Sequence, residues 1–240
     1  ADQPVFAVDE ARFRREAVAA LVGRRDVIEN LDLAEFPVEW APLPHALTVE
    51  DALSEGAPLL HRTRAGNVLV QGRVEKGDLA APEALGDVCV EGAFETGFVE
   101  HAYIEPEAGY ARRTGDRIEI VACTQSPYMD RDDVAAILGI PQENVRIVPT
   151  AVGGGFGSKL DLSVQPYIAL AAWLLNKPVA MVYSRPESIA TTTKRHPSKI
   201  KSRISATRVG KLASIDFEAD FNTGAYASWG PTVANRVPVH

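Results

Sequence analysis

Val152-Gly153-Gly154-Gly155-Phe156-Gly157-Ser158-Lys159 is the stretch on which the fold assignment turns. Four glycines in five positions exclude a helix or a strand there, because glycine loses the most backbone entropy on ordering and offers no side chain to pack. Upstream, Val145-Arg146-Ile147-Val148 reads as a strand. Downstream, Leu162 to Leu175 reads as a largely buried helix. The glycines therefore lie in a loop between strand and helix, where bare N–H groups can approach ligand oxygens and a helix N-terminus favours anions. The phosphate-binding P-loop spacing fails, since the order here is Gly-Ser-Lys, and the dinucleotide fingerprint lacks its sixth-place glycine. Two readings of the loop stay open at this level: a ligand cradle and a tight structural turn.

On the flanks of this loop, Val88 to Phe94 and Ile118 to Cys123 have the alternating, β-branched character of sheet, with Arg112-Arg113-Thr114-Gly115-Asp116 predicted as a turn before the second strand. Asp130 is placed as the cap of a helix ending at Leu138, with Gly139 at C′ and Pro141 blocking continuation. Val179 to Tyr183 is expected as a strand. Ser198 to Ala206 and Leu212 to Phe221 are expected as a hairpin turning at Gly210-Lys211. Nearer the start, Thr48 caps a helical turn with Asp51 three residues on, and Phe36 to Trp40 alternates as a strand would. Residues 14 to 30 fit a short amphipathic helix or a strand equally well. From Gly56 to Ala84 the chain is rich in glycine, charge and proline, which places a domain boundary or a long connector near residues 60 to 80. The fold class is α+β, a mixed α/β arrangement.

Composition bounds the function. The 240 residues carry 46% apolar side chains and a net charge of -7, with both signs interspersed. That balance fits a globular core and argues against a nucleic-acid surface, and no apolar run reaches the roughly 18 residues of a membrane span. The basic run from Lys194 to Arg208 reads as one solvated strand face. Cys89 and Cys123 lie far apart, without zinc or disulfide-framework spacing, which favours a reducing, cytoplasmic setting. The first residues, Ala1 to Phe6, look like the middle of a strand, and Val237 to His240 ends apolar and uncapped, so a fragment is expected at both ends.

Taken together, Gly153 to Lys159, Thr124-Gln125, Glu100-His101-Ala102-Tyr103-Ile104-Glu105 and Arg195-His196-Pro197 resemble the molybdopterin-binding large subunit of the xanthine dehydrogenase and aldehyde oxidase family, the molybdenum hydroxylases. Gln3 to Ala7 resembles the middle of that family's first, hammerhead-type domain. The resemblance implies a partial hammerhead-type domain with connector over 1–75 and the first part of a cofactor-binding domain over 76–240. It also implies hydroxylation of an aromatic, heteroaromatic or aldehyde carbon with water as the oxygen source. The cofactor would be molybdenum-pterin (molybdopterin or its cytosine dinucleotide). Partners would be the rest of the large subunit, an iron-sulfur subunit with 2Fe-2S clusters and a flavin subunit with FAD.

Residue by residue, Gln125 matches the glutamine whose amide bonds an oxygen on the metal, a neighbouring group that orients and tunes the centre. Gly154, Gly155, Phe156 and Gly157 match the loop against the cofactor. Arg236 resembles the arginine that orients substrate and stabilises developing negative charge. Where purine-oxidising members carry a glutamate after the loop lysine, this chain has Leu160, which shifts the expected substrate toward less polar compounds. The family's second cofactor loop, of Ala-Phe-Arg-Gly-Phe-Gly type, and its general-base glutamate have no match among these residues. Glu100, Glu105 and Glu107 are read as structural or solvent-facing, and so are His101 and His196. Lys159 either neutralises an anionic cofactor or satisfies carbonyls. The alternative to a catalytic part is a non-catalytic binding or assembly module that keeps the fold.

Overall fold

A computed structural model describes residues 2–237; Pro238 to His240, part of the apolar terminus noted above, lie outside the described residues. In chain order the elements are α1 (Arg25–Ile28), α2 (Val49–Leu53), α3 (Pro82–Leu85), β1 (Val88–Thr96), β2 (Ala108–Thr114), β3 (Arg117–Ala122), α4 (Pro127–Leu138), β4 (Val145–Pro149), α5 (Gln165–Leu175), β5 (Val179–Val182), α6 (Arg185–Thr191), β6 (Ser198–Ala206), β7 (Leu212–Phe221) and α7 (Gly230–Arg236). This is the mixed α/β class expected. The chain divides into two compact units, each built from two separated segments: Ala1–Pro42 with Glu100–Lys194, and Leu43–Val99 with Arg195–His240.

The first unit holds a four-stranded sheet in the order β4-β3-β2-β5. β3 and β4 run parallel, as a strand–helix–strand crossover through α4 requires, whereas β2 is antiparallel to both β3 and β5. Alternation along β3 sends Ile118, Ile120 and Ala122 to one face, each no more than 1% exposed. Val134 and Ala135 of α4 and Ile168, Ala169 and Ala172 of α5 pack into the same cluster. The small residues on α5 let that helix lie close on the strands. On the opposite side of β3, Glu119 takes Arg112 of β2 at 2.7 Å and Arg146 of β4 at 3.2 Å, an ion-paired row across three strands.

The second unit holds the antiparallel sheet β1-β6-β7. Register explains the basic run of β6: Arg203 lies between Glu91 and Asp216, Lys201 is opposite Glu218, and Lys199 lies between Glu95 and Asp220. Every cation on that strand thus faces an acid on a neighbour, and no nucleic acid is needed to account for it. The alternate face carries Val90, Phe94, Ile204, Ile215 and Phe217. The Thr48–Asp51 capping box forms as expected.

Several expectations are corrected. Phe36 to Trp40 and residues 2–6 form no strand, since Pro37 and Pro4 each lack a ladder donor and no strand among the described residues pairs with either segment. Within 14–30 only Arg25–Ile28 is helical. Arg112 to Thr114 belong to β2, and the turn is confined to Gly115-Asp116. Arg113 lies there because its guanidinium stacks on the Trp173 ring at 3.8 Å and donates to the Trp173 carbonyl at 2.8 Å, tying β2 to α5. Asp130 is not an N-cap. Pro127 opens α4, and Asp130 is a buried residue of its first turn. The helix expected from Leu162 begins at Gln165, after a 3-10 turn at Ser158–Leu160.

Candidate functional site

The glycine loop follows β4, and two other segments, the one holding Tyr103 and Glu105 and the one holding Gln125, press on it. A Cβ on Gly153 would stand 2.5 Å from the Cβ of Glu105, and one on Gly154 would stand 2.8 Å from the Cβ of Tyr103. A Cβ on Gly155 would overlap the side-chain amide of Gln125. The run of glycines is therefore dictated by close backbone approach, and Gly154 also takes φ +97°, a conformation costly to other residues. Phe156, at φ 52° and 72% exposed, adopts the same left-handed region without burying its ring. An aromatic held in that conformation costs about 1–2 kcal/mol, and no core packing offsets it.

Gln125 follows β3 and sits beside this loop. Its backbone N–H donates to the Lys159 carbonyl at 2.8 Å, and its Oε1 accepts from the Gly157 N–H at 3.0 Å. A backbone N–H can only donate, so the amide orientation is determined: Oε1 is turned to the loop, and the two Nε2 hydrogens remain for another acceptor. Gln125, Gly154, Gly155, Phe156 and Gly157 are thus brought together. Arg236 is the last residue of α7, in the second unit, and is exposed.

Lys159 is 2% exposed, and its Nζ donates to the Glu105 carboxylate at 2.7 Å and to the Glu105 carbonyl at 2.9 Å, 4.6 Å above the Tyr103 ring. The same Glu105 carboxylate accepts from the Gly153 N–H at 2.8 Å. Of the two roles open for Lys159, the structure gives it the internal one. Burial acts to raise the Glu105 carboxyl, but the Lys159 hydrogen bond, the Gly153 N–H and the Lys159 charge outweigh it and hold the group below its usual range. Glu107, 1% exposed, accepts from the Tyr103 hydroxyl, which also lies 3.4 Å from the Ser158 Oγ. Burial first, and the Glu107 bond second, raise the Tyr103 phenol. Glu100 pairs with Lys194 at 2.6 Å. Each of the three glutamates thus has a partner within the chain. His101 and His196 are half-buried, each with a buried Nδ1 that has no hydrogen-bond partner among the described residues.

Asp130 was missed as part of this region because a buried acid in a helix's first turn looks like a cap in sequence. It is 1% exposed and accepts from the Gln165 Nε2 at 3.1 Å. Burial pushes its carboxyl up to about 6, against hydrogen bonds from Thr124 and Gln165, with Asp133 and Asp161 adding repulsion. A carboxyl raised above its unfolded value binds more protons in the native state, so its contribution is largest below pH about 4 and is lost as pH rises toward about 6. That interval corresponds to about 3 kcal/mol. Urea denaturation at stepped pH is expected to show this slope in the native protein and a shallower one in Asp130→Asn; identical slopes would contradict it.

The profile of the molybdopterin cofactor-binding domain family matches residues 60–240. The chain is 37% identical, over its whole length and 56% of the relative's, to the nicotinate dehydrogenase large molybdopterin subunit of Eubacterium barkeri. It is 34% identical, over 93% of its length and 30% of the relative's, to the xanthine dehydrogenase molybdenum-binding subunit of Escherichia coli O157:H7. Among solved structures, quinoline 2-oxidoreductase from Pseudomonas putida 86 aligns with TM-score 0.69 at 26% identity over 75% of this chain and 23% of that one. Aldehyde oxidoreductase from Desulfovibrio desulfuricans aligns with TM-score 0.76 at 24% identity over 82% of this chain and 22% of that one, a likeness of fold. The chain spans about half or less of the length of these relatives. On the profile match and these identities, the chain belongs to the molybdopterin cofactor-binding domain family of the molybdenum hydroxylases.

Proposed function

We propose that the chain supplies one wall of the cofactor cleft in a hydroxylase of this family, with Gln125 and the loop Gly154 to Gly157 against the cofactor. The observation that carries this is the fixed Gln125 amide: its oxygen is held by the loop, so it presents only donors, which suit an anionic oxygen-rich group. The exposed Phe156 beside it suits a planar or apolar substrate. When bound, the molybdenum-pterin group accepts the electron pair of the C–H bond being oxidised, while water provides the oxygen.

The chain's own residues bind, orient and shield. Gln125 donates hydrogen bonds, and the loop backbone holds that amide in place. Leu160, in the place of a carboxylate, favours a heteroaromatic or aldehyde carbon over a purine, and the relative named for nicotinate dehydrogenase fits the heteroaromatic class. The division into a partial hammerhead-type domain over 1–75 and a cofactor-binding domain over 76–240 belongs to this reading. So do a general-base glutamate and second cofactor loop from outside these residues, 2Fe-2S and FAD partners, and a reducing cytoplasm for the two free cysteines.

The test is to purify the complete enzyme from its host, measure molybdenum and pterin per subunit, and follow oxygen from labelled water into the product of nicotinate and of aromatic aldehydes. Stoichiometric metal with label from water is expected. Absence of pterin, or label derived from dioxygen, would sink the reading.

A further inference from the structure

β4 is an edge strand of the first unit's sheet, and a groove of about 710 Å³ runs beside it. Four guanidiniums line this groove, those of Arg112 in β2, Arg117 in β3, Arg131 in α4 and Arg146 in β4, and no lysine does. Two carboxylates stand against them, Glu119 and Glu143, so the groove carries an excess of positive charge on a chain whose net charge is -7. Glu119 is already divided. One of its oxygens takes Arg112 at 2.7 Å and the other takes Arg146 at 3.2 Å, and both arginine side chains stay more than half exposed. Arg131 is held by Asp132 of its own helix at 2.7 Å. Arg117 is exposed, and its side chain has no partner among the described residues.

These cations lie on both sides of the strand edge. Alternation puts Arg117 on the same face of β3 as Glu119, and the register sets Arg112, Glu119 and Arg146 in one row across that face. Arg131 comes from α4, which packs on the opposite face through Val134 and Ala135. One small anion cannot serve both sides, whereas a segment bearing several carboxylates can. The edge itself offers little to an added strand. The Thr150 N–H donates to the Ala122 carbonyl at 3.1 Å, so by alternation the backbone groups of Val148 and Arg146 also point inward and those of Val145, Ile147 and Pro149 point out. Pro149 has no N–H and the Val145 N–H is taken by the Gln142 carbonyl, which leaves at most the Ile147 N–H. Recognition therefore falls to side chains. Arginine and aromatic groups with lysine scarce are the composition of protein interfaces, and a guanidinium fork suits a carboxylate. Tyr128 supplies the aromatic part, largely exposed and with Arg131 5.6 Å from its ring centre.

We propose that this groove docks an acidic segment of a partner subunit, whose carboxylates pair with Arg117 and Arg146 on the sheet face and with Arg131 beside Tyr128. This rests on the reading of the chain as part of a multi-subunit hydroxylase.

The test uses the assembled enzyme purified from its host, with subunit association followed by sedimentation at stepped salt. Native association is expected to weaken as salt rises. Arg117→Glu is expected to raise the dissociation constant at least about 30-fold, the scale for setting a like charge against a partner's acid, and Arg117→Glu/Arg146→Glu to raise it further. Molybdenum and pterin per subunit should stay native, which separates docking from folding. In Arg117→Lys, which keeps the charge, a carbodiimide is expected to couple position 117 to an aspartate or glutamate of another subunit, read by mass spectrometry of the joined peptides. Unchanged association in the double variant, or cross-links confined to this subunit, would overturn the proposal. So would saturable binding of inorganic phosphate that the double variant loses while association stays native, because the groove would then be a small-anion site. Should Arg117→Glu fail to fold, the Arg117→Lys cross-link decides. A native enzyme without pterin would sink the cofactor reading, and the salt dependence and the cross-link would still decide this one.

Discussion

Glu105→Ala is expected to destabilise the complete subunit by about 3–5 kcal/mol, the scale for breaking a buried ion pair by removing one partner. The Lys159 ammonium is almost fully buried, and without Glu105's carboxylate it keeps only the Glu105 carbonyl as an acceptor. The Gly153 N–H loses its partner at the same time. Both losses fall on the glycine loop, so thermal or urea unfolding should show the drop together with reduced pterin retention. Lys159→Met alone should cost less, because Glu105 keeps the Gly153 N–H and some solvent access. The double variant Glu105→Leu/Lys159→Met should recover part of the loss, since no charge is then stranded. A cost below about 1 kcal/mol for Glu105→Ala would mean that Lys159 reaches water in solution and the clasp is not structural.

Gln125→Glu is expected to lower turnover of the complete enzyme about 10- to 100-fold, in the range found when groups that orient a metal centre's contacts are removed. The glutamate retains an oxygen for the Gly157 N–H, so the loop keeps its hydrogen bond, but it has no hydrogen to donate and adds negative charge toward an anionic cofactor. Gln125→Ala removes both functions and should differ from Gln125→Glu chiefly in stability, by about 1 kcal/mol for one hydrogen bond. Steady-state kinetics beside urea denaturation separate the two effects. Parallel loss of folding and activity in Gln125→Glu would identify the glutamine as a structural residue.

Much of the site was legible because it is local in sequence. Gly153 to Gly157 announces a loop whatever surrounds it, and Thr124-Gln125 adjoins a strand whose alternation from Ile118 to Ala122 is plain. Ser198 to Ala206 and Leu212 to Phe221 were bounded to the residue by alternation and a two-residue turn signal. Short segments whose structure depends on a partner were not legible. Phe36 to Trp40 alternates like a strand, but with Pro37 in it and no neighbour to pair with it remains irregular. Arg113 has the composition of a turn and lies in a strand because Trp173 stacks on it from sixty residues away.

Residue order alone pointed to a mixed α/β protein and, by resemblance, to the molybdenum hydroxylases, with a glycine loop and a glutamine paired as candidate cofactor contacts. The reasons for that pairing came from the packing of distant segments. Gly153, Gly154 and Gly155 are required because Glu105, Tyr103 and Gln125 come within a methyl group's reach of the backbone. Lys159 is an internal tie, not a charge held out to a ligand, and Asp130 is a buried acid whose partners lie on other elements. Propensity and alternation act over a few neighbouring residues, whereas burial, charge state and close approach arise from segments tens of residues apart.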